Sequence, residues 1–195
     1  ADIPRDVVRK LADLGFLGIF TPTEYGGSGL GDLGGAVVME EIARHCGATA
    51  LLLDAHNALC SAHLIRAASE AQKAKYLTRL AAGDCLGAWA LSEPGCGSDA
   101  AGLTTTATLD GDHWVLNGAK QWITNGHYAE IFVVMARTDP AKGAKGISAF
   151  IVERNTKGFE RGPKEDKLGM RGSDTVGLMF DNCRIPKENL CGKLG

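Results

Sequence analysis

The hydrophobic period of this chain changes near Gly83, and neither an all-helical nor an all-strand fold accommodates both patterns. Upstream, apolar residues recur at helical spacing. Pro4 suits a first helical position, and Val7, Val8, Leu11 and Leu14 then share one face. Asp32 suits the N-cap of a second helix carrying Val38, Met39, Ile42 and Cys46, with Gly47 placed for a left-handed exit. Residues 50–68 are apolar around most of the circumference, which predicts a helix buried between others. Ser69 with Gln72 three residues later predicts a capping box, opening a helix through Tyr76, Leu77 and Leu80 to Gly83.

Downstream the signals are those of strands. A short apolar run covers residues 85–92, and residues 103–109 alternate Thr with other residues before Asp110-Gly111, a strong hairpin dipeptide. Residues 113–117 read as the return strand, and 131–137, 147–153 and 176–182 as further strands. Strands following strands imply antiparallel neighbours. The expected class is therefore α+β: an N-terminal helical bundle domain over residues 1–83, then an antiparallel β-barrel or sandwich domain over residues 84–195.

The charge is nearly balanced, 21 basic against 23 acidic residues, which argues against broad electrostatic binding to nucleic acid or anionic membrane. Basic residues do concentrate in 142–171, a stretch read as a solvated surface. No run approaches the ~18 apolar residues of a membrane span, and the charged first 20 residues do not read as a signal peptide. The six Cys show no C-x-x-C pair or metal-ligand spacing and read as reduced, mostly buried thiols. His56 and His63 lie seven residues apart, roughly 10 Å along a helix axis, too far to share one metal ion. No metal site is expected.

Two glycine patterns, Gly29-Gly31-Gly34 and Gly95-Gly97-Ala100, imitate a dinucleotide fingerprint, but neither has both the preceding strand and the following helix that a Rossmann site needs. Residues 90–99, Ala-Leu-Ser-Glu-Pro-Gly-Cys-Gly-Ser-Asp, are more informative: a strand ends in a loop of small hydroxyl and glycine residues able to present backbone N–H groups to an anion or a polar ring. About thirty residues on, Gln121-Trp122-Ile123-Thr124-Asn125-Gly126 sets a large aromatic beside a hydroxyl and a turn. An aromatic wall with hydroxyl donors suits a flat heteroaromatic cofactor.

These two segments, with Leu14-Gly15-Phe16-Leu17-Gly18-Ile19, Glu24-Tyr25-Gly26-Gly27, Leu116-Asn117-Gly118-Ala119-Lys120 and Lys167-Leu168-Gly169-Met170-Arg171 in order, resemble the acyl-CoA dehydrogenase family over essentially the whole chain. The resemblance implies a helical domain packed on a β-domain, with FAD between the β-domain and a C-terminal helical domain. It implies that Trp89, Leu91 and Ser92 line the flavin, Ser92 bonding its pyrimidine edge, and that Trp122, Ile123 and Thr124 flank the other side of the ring. Gly97 and Ser98 would approach the pyrophosphate or the thioester ligand, Ser98 also as a substrate contact. Ser92 stands where Thr is common in the family, and the hydroxyl is kept.

The same resemblance implies dehydrogenation of an acyl-CoA thioester to a trans-2-enoyl-CoA, electron-transfer flavoprotein as electron acceptor, and a homo-oligomer, tetramer or dimer. The location it implies is the bacterial cytoplasm or the mitochondrial matrix. In most members of the family that the chain resembles, the catalytic Glu lies in the C-terminal helical domain, which is expected to be absent from these 195 residues. No catalytic residue is therefore named, Glu93 in the signature loop reads as structural, and the chain alone is expected to be inactive. The alternatives are an acyl-CoA oxidase or related flavin monooxygenase, and a non-catalytic binding module.

Overall fold

A computed structural model of the chain describes residues 2–195. Helix α1 spans Arg5–Asp13, with Pro4 as its extended N-cap, one position earlier than the spacing predicts. Leu11 is buried and Val7 and Val8 pack beside it, whereas Leu14 is the C-cap residue and turns outward, 67% exposed. Helix α2, Asp32–His45, is capped by Gly31, so Asp32 falls in the first turn, where its charge complements the helix dipole.

Cys46 is extended and its carbonyl accepts the amides of Thr49 and Ala50, so Gly47 opens helix α3, Gly47–Asp54, and does not close α2 in a left-handed turn. Helical backbone continues through a π-helical stretch, Ala55–Ser61, into α4, Ala62–Ala67. The expected buried helix is thus present, three residues longer at its start and wider in its middle. Helix α5, Glu70–Ala81, has the capping box in full: Ser69 Oγ accepts from Gln72 N at 3.3 Å, and Gln72 Oε1 accepts from Ser69 N at 2.9 Å. Five of the cysteines are buried and all six are free, but Cys46 is exposed.

Eight strands follow: β1 (Gly87–Ala90), β2 (Thr106–Asp110), β3 (His113–Thr124), β4 (Ile131–Arg137), β5 (Ile147–Glu153), β6 (Phe159–Lys164), β7 (Thr175–Pro186) and β8 (Leu190–Cys191). The order is β6-β7-β3-β2-β4-β5-β8, with β1 also pairing β4. Most neighbours are antiparallel as expected, yet β1 runs parallel to β4 over four residue pairs, and β2 meets β4 in parallel at Thr106 and Arg137. The sheet is therefore mixed, and it is open, a correction to the antiparallel barrel. Parallel strands need a crossover, and the β2–β3 hairpin supplies it between β1 and β4.

The hairpin turns at Gly111 (φ 62°), pairing Asp110 with His113. Strand β3 then runs twelve residues instead of stopping at Asn117, because Gly118 (φ 140°) forms a bulge and not a turn. A Cβ there would lie 2.7 Å from Thr105 Cα, so only glycine allows the approach. A second register shift separates Lys120 from Ile123. Strand β6 leaves little mark in the sequence because Gly162 and Pro163 weaken its pattern, and β8 is only two residues long.

Strands β4 and β5 are buried on both faces. Phe132, Val134, Phe150 and Val152 join Leu116, Phe159 and Phe180 in one core, while Ile131, Val133, Ala149 and Ile151 meet Leu64, Tyr76, Leu77 and Leu80 from the helices. This explains why their sequences are continuous apolar runs without alternation. Buried polar pins brace the same region, one of them crossing to the sheet. His56 Nδ1 accepts from Gly87 N at 3.1 Å, which leaves Nε2 to donate to Leu17 O at 2.9 Å. Asn57 Oδ1 accepts from Ile19 N at 3.1 Å, and its amide donates to Phe16 O at 2.9 Å.

Two predictions follow from these contacts. Ser69→Ala removes the cap of α5 and should cost about 1 kcal/mol in denaturant unfolding; an unchanged midpoint would show that tertiary packing alone holds that end. Burial pushes His56 down to about 4. The unfolded chain then binds the extra proton between pH ~6.5 and ~4, so stability should fall by about 3 kcal/mol as pH drops through that window. His56→Gln should show a shallower loss over the same range, and coincident pH profiles would contradict the assignment.

Candidate functional site

The ends of β1 and β3 lie side by side and enclose a cavity of about 170 Å³. Trp89, Leu91 and Ser92 form one wall, Trp122, Ile123 and Thr124 the other, and Ala55 and Leu59 of the π-helical stretch contribute from below. Six of the eight residues singled out in the sequence are thus brought together. Ala55 and Leu59 were missed, because a helix residue facing a strand end leaves no local mark. Gly97 and Ser98 do not line this cavity. They are exposed on the loop beyond it, where a Cβ on Gly97 would meet nothing within 4 Å.

Backbone geometry sets the second wall. Trp122 sits at φ 62°, in the left-handed region that a bulky residue rarely enters, and its side chain is 60% exposed at the cavity mouth. Asn125, at φ 64°, closes the turn: it is buried, and its amide donates to Leu52 O at 3.0 Å and Gly87 O at 3.3 Å. Asp174 supports the same turn, its carboxylate accepting from the amides of His127 at 2.5 Å and Tyr128 at 3.3 Å. On the first wall the Trp89 indole N–H donates to His63 Nδ1 at 3.4 Å.

A buried ion pair ties the walls together. Lys120 Nζ donates to Glu93 Oε1 at 2.8 Å and to Leu91 O at 3.0 Å, and Gln121 N donates to Ser92 O at 2.8 Å. Glu93 also accepts from Thr104 N, Thr104 Oγ1 and Thr105 N. Burial raises the Glu93 pKa, but the Lys120 ammonium and these donors outweigh it and hold the carboxyl at about 2. A carboxylate so low and so fully bonded is no general base at neutral pH, in keeping with a structural Glu93. The Glu93-to-Cys96 turn closes on itself through reciprocal backbone bonds of 2.8 and 3.1 Å.

A larger open groove, about 510 Å³, runs between α5 and the sheet. Four of its charged side chains pair within it, Lys75 with Glu153 at 2.8 Å and Arg79 with Glu130 at 3.3 Å. In the smaller cavity the hydroxyls of Ser92 and Thr124 have no partner among the described residues, and two indoles stand beside them. That donor set, with one side open, fits the face and polar edge of a flat heteroaromatic ring.

Comparison with known proteins places the chain in a family. Residues 1–84 match the model of the acyl-CoA dehydrogenase N-terminal domain, and residues 88–183 that of the acyl-CoA dehydrogenase middle domain. Mitochondrial isovaleryl-CoA dehydrogenase of Pongo abelii is 48% identical over 96% of this chain and 45% of its own length. Human mitochondrial short-chain specific acyl-CoA dehydrogenase is 47% identical over 98% of this chain and 47% of its own. The solved structure of an acyl-CoA dehydrogenase complexed with FAD from Bacillus anthracis superposes with a TM-score of 0.90 at 42% identity, covering 97% of this chain and 32% of that one. The chain spans about half the length of the relatives it matches. With both family models and these relatives covering nearly every residue, the chain belongs to the acyl-CoA dehydrogenase family.

Proposed function

We propose that residues 1–83 and 84–195 are the helical and β-domains of an FAD-dependent dehydrogenase of acyl-CoA thioesters, a trans-2-enoyl-CoA being the product. The observation that carries this reading is the cavity in which Trp89, Leu91 and Ser92 face Trp122, Ile123 and Thr124. FAD, when bound, supplies the acceptor for the hydride leaving the β-carbon of the thioester. The remaining work attributed to this chain is positioning. Ser92 and Thr124 offer hydroxyls to the polar edge of the ring, while Trp122 and Ile123 cover one side of it and exclude water there. Gly97, open above its Cα, leaves room for a phosphate or thioester portion, and the exposed Ser98 hydroxyl is the substrate contact on the same loop.

The base that removes the α-proton is assigned to no residue of this chain, since Glu93 is paired and held at about 2. Electron-transfer flavoprotein as the acceptor of electrons and a homo-oligomeric assembly belong to the same proposal, as does a bacterial cytoplasmic or mitochondrial matrix location. No helix among the described residues is long and apolar enough to cross a membrane.

Trp122→Ala should weaken FAD retention by roughly 1 to 3 kcal/mol, the loss of one aromatic wall, measured by titration and by the flavin spectrum. Unchanged occupancy and spectrum in Trp122→Ala and Thr124→Ala would overturn the site. Ser98→Ala should weaken acyl-CoA binding by roughly 0.5 to 1.5 kcal/mol, and identical affinity would leave Ser98 a turn residue. The 195 residues alone, given FAD, acyl-CoAs of several lengths and an artificial acceptor, should not turn over. Rates on the order of 1 per second or more would place a base within them.

A further inference from the structure

We propose that Lys120, paired with Glu93, is a positioning residue that holds the two walls of the cavity in register for the flavin, an inference that rests on the flavin reading above. The Lys120 side chain is 0% exposed and that of Glu93 3%. Removing both charges from water costs several kcal/mol per ion, and a buried ion pair often stabilises a fold no better than apolar residues of the same volume. What this pair does have is a specific arrangement. Leu91 O and the Glu93 carboxylate, two residues apart on one wall, are both held by one ammonium, while Ser92 O between them is held by Gln121 N.

Three consecutive residues of the first wall are therefore fixed to two consecutive residues of β3, and the next residue of β3 is Trp122. The register shift between Lys120 and Ile123, with Trp122 at φ 62°, falls directly after this anchor. A methionine at 120 would fill the same space but would leave Leu91 O without this donor. Of the three bonds between these segments only Gln121 N to Ser92 O would then remain, a single point about which the Ser92 hydroxyl and the Trp122 indole can shift. On the other side of the carboxylate, Thr104 Oγ1 donates to Glu93 Oε2 at 2.8 Å from an exposed position, and with the amides of Thr104 and Thr105 it orients the carboxyl group.

The test uses the FAD-loaded protein in three forms: wild type, the double variant Lys120→Met with Glu93→Gln, and Thr104→Val. The double variant removes both charges and so leaves no lone buried ion. Thermal midpoint, flavin absorption spectrum and FAD dissociation constant are measured on each. The proposal expects the double variant to remain folded, with a midpoint lowered because Leu91 O loses its donor, while its flavin band shifts and its FAD dissociation constant rises about fivefold to tenfold, the size of one or two misplaced hydrogen bonds. Thr104→Val should move both flavin signals in the same direction by less. A folded double variant with wild-type spectrum and affinity would make the pair purely structural and overturn the proposal. If the double variant does not fold, Thr104→Val decides, and wild-type flavin signals there overturn it equally. Failure of the wild type to hold FAD would instead remove the flavin reading itself, and this inference with it.

Discussion

Burial of β4 and β5 on both faces is the constraint on which the rest of the structure depends. One face of these strands completes the core inside the sheet around Phe132, Phe150 and Phe159, and the other meets Leu64, Leu77 and Leu80 of the helices. Each fully buried aliphatic or aromatic side chain contributes about 1.5 to 3 kcal/mol relative to exposure. The shared layer therefore locks the helices to the sheet. It also places the π-helical stretch against β1, and from that contact the cavity acquires Ala55 and Leu59.

Apolar burial does not fix the relative position of two elements to a few tenths of an ångström; polar pins do that here. His56 joins Leu17 to Gly87, Asn57 joins the 16–19 segment to the helix, and Asn125 joins Leu52 to Gly87. Each is buried and each spans elements far apart in sequence. The π-helical widening sits where His56 and Asn57 must both face inward. Together they make a rigid frame around two strand ends, the kind of support that a preorganised binding wall requires.

Local signals in the sequence anticipated much of this. The capping box at Ser69, the hairpin at Asp110-Gly111 and the limits of β4 and β5 depend on contacts within a few residues, and they stand where the spacing puts them. Trp89, Leu91, Ser92, Trp122, Ile123 and Thr124 line one cavity. Other readings failed for identifiable reasons. Gly47 looked like a helix exit and instead opens the next helix, because the extended Cys46 breaks the chain first. The return strand read as ending at Asn117 and instead runs on through a bulge at Gly118, because β7 pairs with it on both sides.

The sequence by itself determined the type of most elements, the change from helical to strand period, and the residues that carry the family likeness, since each is written in neighbouring side chains. Only the tertiary structure decided the parallel pairing of β1 with β4, the open mixed sheet, and the left-handed backbone of Trp122. It alone joined Lys120 to Glu93 across 27 residues and His56 to Gly87 across 31. The physical reason is range. Helical periodicity and turn chemistry act over a handful of residues, whereas a buried charge or imidazole finds its partner only after the strands and helices have packed, and no local pattern marks which partner that will be.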